Sequence, residues 1–462
     1  MALSTDNRGQ WGSKFGFVMA AAGSAVGLGN IWRFPYITGQ NGGGAFVMLY
    51  LACVILIGVP LLFTEMGLGR ATQKSTIGAF KDTGGGPFWT GLGALLALGV
   101  SFFVLSYYGV IAGWTIGYIG KTLTGSAADG NFSAFAANAG YSIPLMALFT
   151  LVTIVIVIGG ISGGIEKAAK VLMPVLFILI FAVAIRALTL DGAMAGVEFY
   201  LKPDFSKITA NSVLAALGQA FFSMSIGWGI MVTYGSYLPK TSNLVSSGDW
   251  VGFMDTGVAL LAGLMIFPAV FAFGKSPEAG PTLVFQVLPE IFASMAGGQI
   301  IGALFFLLLT VAALTSSISM LEVPASYFID EKKWSRKKAA IVVGIMVFVV
   351  GIPSALSHGA SDFFTNMNIH VFGQEVTGFQ GIVDYWFGTF FIVVVAFVTC
   401  IYVAWKLPIE LIVNEMAKGS ESFTPGSLQS RTFVFFIRFI GPIVILAVLL
   451  NMMGVFGIFA GA

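Results

Sequence analysis

The chain has 462 residues, of which 57% are hydrophobic and 10% charged, with a formal net charge of +2. So few charges cannot cover the surface of a water-soluble globule of this length. The net charge says little about partners, and no basic tract suits nucleic acid.

Mean hydropathy is +0.91, and apolar runs of about 18 residues or more recur from end to end, the pattern of membrane-crossing helices. The fold class expected is an all-α polytopic membrane protein whose partner is the lipid bilayer. The head, MALSTDNRGQW, is short and polar, and the apolar run after it has no tidy cleavage site, so no removable signal is expected. Eleven segments then follow: 12–36, 44–70, 89–122, 142–160, 165–189, 211–238, 249–273, 298–329, 337–357, 378–405 and 431–459. A shorter piece, 281–296, is too short to cross and is expected to lie folded over the protein. Cys53 and Cys400 each sit inside an apolar run, which suits neither a disulfide framework nor a metal site. The histidines, His358 and His370, share one polar connection. Haem, zinc and His-based catalysis have little to work with, and the chain is not expected to be an enzyme.

Lys and Arg set the orientation. With the N-terminus inside, 17 of the 23 basic residues fall on inner segments. The other six are Arg33, Lys121, Arg186, Lys202, Lys207 and Lys275. The N-terminus is therefore expected in the cytoplasm and the C-terminus outside.

Residues 20–36, AAAGSAVGLGNIWRFPY, place Gly23, Gly27, Gly29, Asn30 and Arg33 where a membrane helix begins. The sixth segment is interrupted likewise, by Ser223, Ser225, Gly227 and Gly229. Segments one and six correspond if the chain is two five-helix repeats. Five is odd, so the second repeat (about 211–405) would be inverted relative to the first (about 12–189), with an extra helix at about 431–459. Paired interruptions in inverted halves point to a mid-membrane site of a secondary transporter. Unwinding frees backbone N–H and C=O groups that something must meet. Free carbonyls suit Na⁺, and free N–H groups at a half-helix start suit a carboxylate. Small-residue helix packing by Gly23 and Gly27 is the plainer alternative for the first segment.

The stretches GSAVGLGNIWRFPY, NGGGAFVMLY, GVPLLFTEMGLGR, FFSMSIGWG and ALTSSIS resemble the neurotransmitter:sodium symporter family, of the LeuT fold, from about Trp11 to the eleventh segment. The resemblance implies a single transporter domain over 1–462 and sodium-coupled amino-acid symport. It implies one sodium shell from Ala25, Asn30, Ser223 and Asp255, and a second from Gly23, Val26, Ala312, Thr315 and Ser316. The amino acid would contact Ala25, Leu28, Gly29, Val104, Tyr108, Phe222, Ser223, Ser225, Trp228, Ser316, Ser319 and Met320. Arg33 and Asp384 would form an outer gate with Phe222 as lid. Arg8 and Asp330 would form an inner gate beside Trp11 and Tyr237.

A carboxylate within the membrane is expensive and marks function by default. Asp255 would be the fixed anion near the first sodium, so no chloride requirement is expected. Trp228 suggests small or medium neutral amino acids. The resemblance further implies a bacterial inner membrane and a monomer or weak homodimer. The roles of Glu65 and Glu322 stay open. A channel would want a ring of like residues along a pore, and an enzyme a credible catalytic centre. Neither is evident, but an amino-acid sensor on the same fold, or a symporter of another small amine or zwitterion, remains an alternative.

Overall fold

A computed structural model describes residues 8–129, 131–277 and 283–455. The fold is almost wholly helical. Among the described residues, nine helices are each long and apolar enough to cross a membrane: Gly44–Thr72, Gly86–Leu123, Ala139–Ile158, Ile161–Leu188, Leu244–Ala272, Gly298–Asp330, Arg336–Leu356, Phe379–Lys406 and Leu428–Met452. A tenth crossing is a broken pair, Lys14–Ala25 and Gly29–Gln40, bent by 49°. Ten of the eleven expected spans are accounted for in this way. The segment expected at 211–238 is instead two short helices, Ala210–Ser223 and Ile230–Gly235, with an irregular stretch between them. Neither half is long enough to cross alone, because the interruption falls in the middle of the run. The last expected span ends at 459, and its residues 456–459 lie outside the described ones.

The interruptions have local causes. In the first span the α-helix ends at Ala25, and Val26 turns extended (ψ 102°). The chain resumes with a wide turn over Gly29–Arg33 before Pro35 restarts regular helix. A side chain at Gly27 would put its Cβ 2.5 Å from Ser316 Oγ, so only glycine lets the eighth span approach here. In the sixth segment Ser225, Gly227 and Gly229 have φ of +54°, +83° and +72°, outside any helix. A Cβ at Gly227 would also lie 2.2 Å from the carbonyl oxygen of Ile392.

Spans three and eight form the largest helix contact, and the broken first span lies against spans five, seven and eight. The freed backbone therefore sits in the protein interior, as lipid requires. The short piece expected at 281–296 is a helix over Leu283–Ser294, with Leu283, Val284, Phe285, Leu288, Ile291 and Phe292 buried against the eighth span. Its first two expected residues lie outside the described ones. A hairpin, Asn368–Val371 with Gln374–Thr377, and a short amphipathic helix, Ile409–Ala417, complete the connections. Apolar periodicity had marked neither. Cys53 and Cys400 are free and buried.

Candidate functional site

The two interruptions meet. Asn30, just past the first break, donates its amide to Ser223 Oγ (2.9 Å) and to Asp255 Oδ1 (2.7 Å). Its own Oδ1 accepts the Gly27 N–H at 3.1 Å, which fixes the amide's orientation. Ser223 also lies 2.8 Å from Asp255 Oδ2, and Tyr50 donates its hydroxyl to Ser223 at 3.1 Å. Asp255 is fully buried, and its carboxylate is bonded by the interior side chains Asn30 and Ser223. The cluster thus brings together Asn30, Ser223 and Asp255 as expected and adds Tyr50, a tyrosine in an apolar helix that carries no signal in the sequence.

A second group of oxygens lies between the first and eighth spans. Thr315 Oγ1 is 2.9 Å from the Ala312 carbonyl and 3.4 Å from the Val26 carbonyl. Ser316 Oγ is 3.1 Å from the Ser24 carbonyl and 3.4 Å from that of Val26. A Cβ at Gly23 would lie 3.2 Å from Thr315 Cβ, so Gly23 faces the same place. All of these are neutral oxygens, the donor type that a hard monovalent cation takes.

Beside both groups is a cavity of about 20 Å³ walled by Ala25, Leu28, Gly29, Tyr108, Phe222, Ser225, Trp228, Ser316 and Met320, with Ser24, Gly27 and Ile230 as additions. The Tyr108 hydroxyl accepts the Leu28 N–H at 3.3 Å, so both lie together at one end of it. Three expected contacts are off this wall. Ser223 belongs to the Asp255 cluster. Ser319 is turned to Ser24 Oγ (2.6 Å) and the Ser316 carbonyl (2.7 Å). Val104, one helical turn before Tyr108, is buried but does not line it.

Phe222 is shared with a wider cavity of about 360 Å³ that also holds Trp32, Arg33, Tyr107, Gln380 and Asp384. The expected Arg33–Asp384 pair is not closed. Arg33 donates to Gln219 Oε1 (3.0 Å) and lies over the Phe222 ring (4.7 Å), while Asp384 accepts the Tyr107 hydroxyl at 2.5 Å. Both line the wide cavity without forming an ion pair among the described residues, and each is bonded to another partner.

The Arg8 end is shut. Arg8 pairs with Asp330 at 2.9 Å, bonds Ser236 at 2.8 Å and lies 4.8 Å over the Tyr237 ring. Trp11 is buried beneath, its indole donating to the Tyr234 carbonyl at 3.0 Å. Glu322 adds a second ion pair, with Arg336 at 2.8 Å, and accepts the Tyr237 hydroxyl at 2.6 Å. Glu65 has a different task. Its Oε1 accepts the Gly227 N–H at 2.8 Å, while Ser101 donates to the Trp228 carbonyl at 2.6 Å, so two freed backbone groups of the sixth segment are met by side chains.

Residues 8–134 and 133–457 match the profile of the sodium:neurotransmitter symporter family. The chain belongs to that family. Its members are transporters rather than enzymes, and with its apolar helices the chain is an integral membrane protein. It is 40% identical over 455 residues to an uncharacterised sodium-dependent transporter of Bacillus subtilis, covering 96% of this chain and 98% of the relative. A second such transporter, from Haemophilus influenzae, is 37% identical over 469 residues, covering 98% and 99%. The crystal structure of MhsT in complex with L-phenylalanine superposes with a TM-score of 0.87 at 42% identity, covering 96% of this chain and all of that one. The architecture is thus that of the LeuT-fold symporters.

Proposed function

We propose that this symporter carries neutral amino acids with sodium by alternating access. The observation that carries the reading is the juxtaposition of the Asn30–Ser223–Asp255 cluster with the small cavity at the paired breaks. One sodium is assigned to the Ala25 carbonyl, Asn30, Ser223, Asp255 and the substrate carboxylate. The other is assigned to Gly23, Val26, Ala312, Thr315 and Ser316. The carboxylate also takes the N–H groups of Leu28 and Gly29 and the Tyr108 hydroxyl. Because the first sodium and the substrate complete each other's shell, each raises the other's affinity by the same factor. Asp255 supplies the negative charge near that sodium, so transport needs no chloride.

The Arg8–Asp330 end is assigned to the cytoplasm of a bacterial inner membrane, from the basic residues on that side. In this conformation it is the closed gate, and Arg33 and Asp384 close on each other only once substrate is held. The transporter domain spans both repeats, and the chain works as a monomer or weak homodimer.

Trp228 and the narrow cavity favour small or medium side chains. The L-phenylalanine held by MhsT favours a larger one, which would need Met320 and Phe222 to move aside. A panel of radiolabelled amino acids, from glycine to tryptophan, bound to purified protein with and without Na⁺ decides both questions. Sodium-dependent binding of a neutral amino acid that Asn30→Ala abolishes is the expected result. Preference for the aromatic members overturns the size reading alone. No sodium-dependent binding across the panel overturns the substrate class.

A further inference from the structure

Trp228 stands in the irregular stretch of the sixth segment, and the protein fixes it from several sides. Its carbonyl is held by Ser101, the N–H before it by Glu65, and its ring meets Phe222 edge-on at 5.4 Å. The ring forms part of the wall of the small cavity. Yet its indole N–H is buried and has no hydrogen-bond partner among the described residues. A buried donor left without a partner is costly, so a donor this firmly placed calls for an acceptor from outside the chain.

The Tyr108 hydroxyl and the Leu28 and Gly29 N–H groups are assigned above to the substrate carboxylate, and the serine hydroxyls around the rest of this cavity are already committed as donors. Ser225 and Ser316 both donate to the Ser24 carbonyl, at 3.2 and 3.1 Å. Ser319 gives its proton to the Ser316 carbonyl, which leaves the Ser24 hydroxyl to donate to Ser319. Their oxygens keep lone pairs free to accept. No Asp, Glu, Lys, Arg or His lies on the wall, so a charged side chain would enter without a counter-charge. For a side chain the cavity therefore offers the indole N–H and several hydroxyl acceptors in a narrow, neutral space. A short aliphatic hydroxyl matches that set: its oxygen accepts from the indole and its proton goes to a serine oxygen.

We propose that the preferred substrates are the short hydroxy amino acids, L-serine and L-threonine, with Trp228 Nε1 as the donor that selects their side-chain oxygen over a hydrogen or methyl group. The inference rests on the neutral amino-acid reading above.

The test is sodium-dependent binding to the purified protein of L-serine against L-alanine, and of L-threonine against L-2-aminobutyrate, which differ only by the hydroxyl. In the unsubstituted protein each hydroxy amino acid should bind roughly tenfold tighter than its partner, the worth of one neutral hydrogen bond. Trp228→Phe should bring both ratios near one. Replacement of Trp228 by 3-benzothienylalanine, which keeps the ring shape and lacks the N–H, should do the same. That second variant decides the matter should the phenylalanine variant fail to fold. Equal binding of serine and alanine by the unsubstituted protein overturns the proposal. So does a serine preference that survives the benzothienyl replacement. In both of those outcomes neutral amino acids still bind with sodium, so the function proposed above stands. Absence of sodium-dependent binding by all four compounds also overturns the proposal, and the wider panel above then decides whether the function itself stands.

Discussion

At the residue scale the decisive position is Asp255. A carboxylate this deep in a membrane protein persists only if groups around it keep it satisfied. Here Asn30 and Ser223 do so from two separate spans. If its charge stands in for an anion near the first sodium, uptake into liposomes should be unchanged when chloride is replaced by gluconate. Asp255→Asn should then lose sodium-dependent binding in chloride-free buffer and recover part of it when chloride is restored. Indifference of that variant to chloride, with binding intact, would refute the assignment. Asn30 acts at the same point through its geometry. Its carbonyl oxygen is held by Gly27 N–H and its amide by the cluster, so Asn30→Asp would alter charge and Asn30→Ala would remove the link between the two broken segments altogether.

At the element scale, the broken sixth segment is held by side chains from its neighbours, with Glu65 foremost. Glu65→Gln keeps an oxygen for the Gly227 N–H and should fold near normally. Glu65→Ala leaves that N–H unmet in the interior and should cost about 1–3 kcal/mol. Thermal unfolding in detergent distinguishes the two, and equal midpoints would show that the contact contributes nothing.

The short helix Ile409–Ala417 makes the corresponding attachment at the Arg8 end. Glu415 on it pairs with the fully buried Arg70 at 3.1 Å and with Lys240 at 3.3 Å, and contacts Lys418. Burial by itself would raise the Glu415 carboxyl, but Lys418, Lys240 and Arg70 outweigh it and hold the group below its ordinary value. A lowered carboxylate contributes stability that is present above its unfolded value and is lost as pH falls through the folded one. The attachment should therefore be complete at neutral pH and weaken only in acid. Glu415→Gln leaves Arg70 buried without its counter-charge, at a cost of about 3–5 kcal/mol. It should lower the unfolding midpoint at pH 7 and flatten the acid limb of the stability profile.

At the scale of the whole molecule, one end is closed by two ion pairs, Arg8–Asp330 and Arg336–Glu322, while Arg33 and Asp384 stand apart across a cavity at the other. The asymmetry is what the proposed alternating-access cycle needs in a stage open at the Arg33–Asp384 end. Asp330→Asn removes one charge of the first pair and should shift the population toward the opposite opening. Hydrogen–deuterium exchange of the peptide 8–25 should rise in that variant, and sodium should suppress it less than in the unsubstituted protein. Unchanged exchange would mean that the Glu322–Arg336 pair alone keeps this end shut.

What the sequence determined by itself was everything that depends on local composition. Apolar runs fixed the membrane class and most of the helices, since hydropathy is a property of consecutive residues. Glycine and serine in the first and sixth runs marked the breaks, because those residues tolerate backbone that leaves the helix. The resemblance to the family named Asn30, Ser223 and Asp255 as one group and Thr315 and Ser316 as another, and the structure brings the members of each together. The tertiary structure decided what meets the freed groups. Glu65 reaches Gly227 across 162 positions of chain, and Asn30 reaches Asp255 across 225. Tyr50 joined the cluster, Val104 and Ser319 left the cavity wall, and Arg33 took Gln219 in place of Asp384. None of these is a local property: a buried polar group takes the nearest partner that the packed helices present, and only the packing determines which one that is.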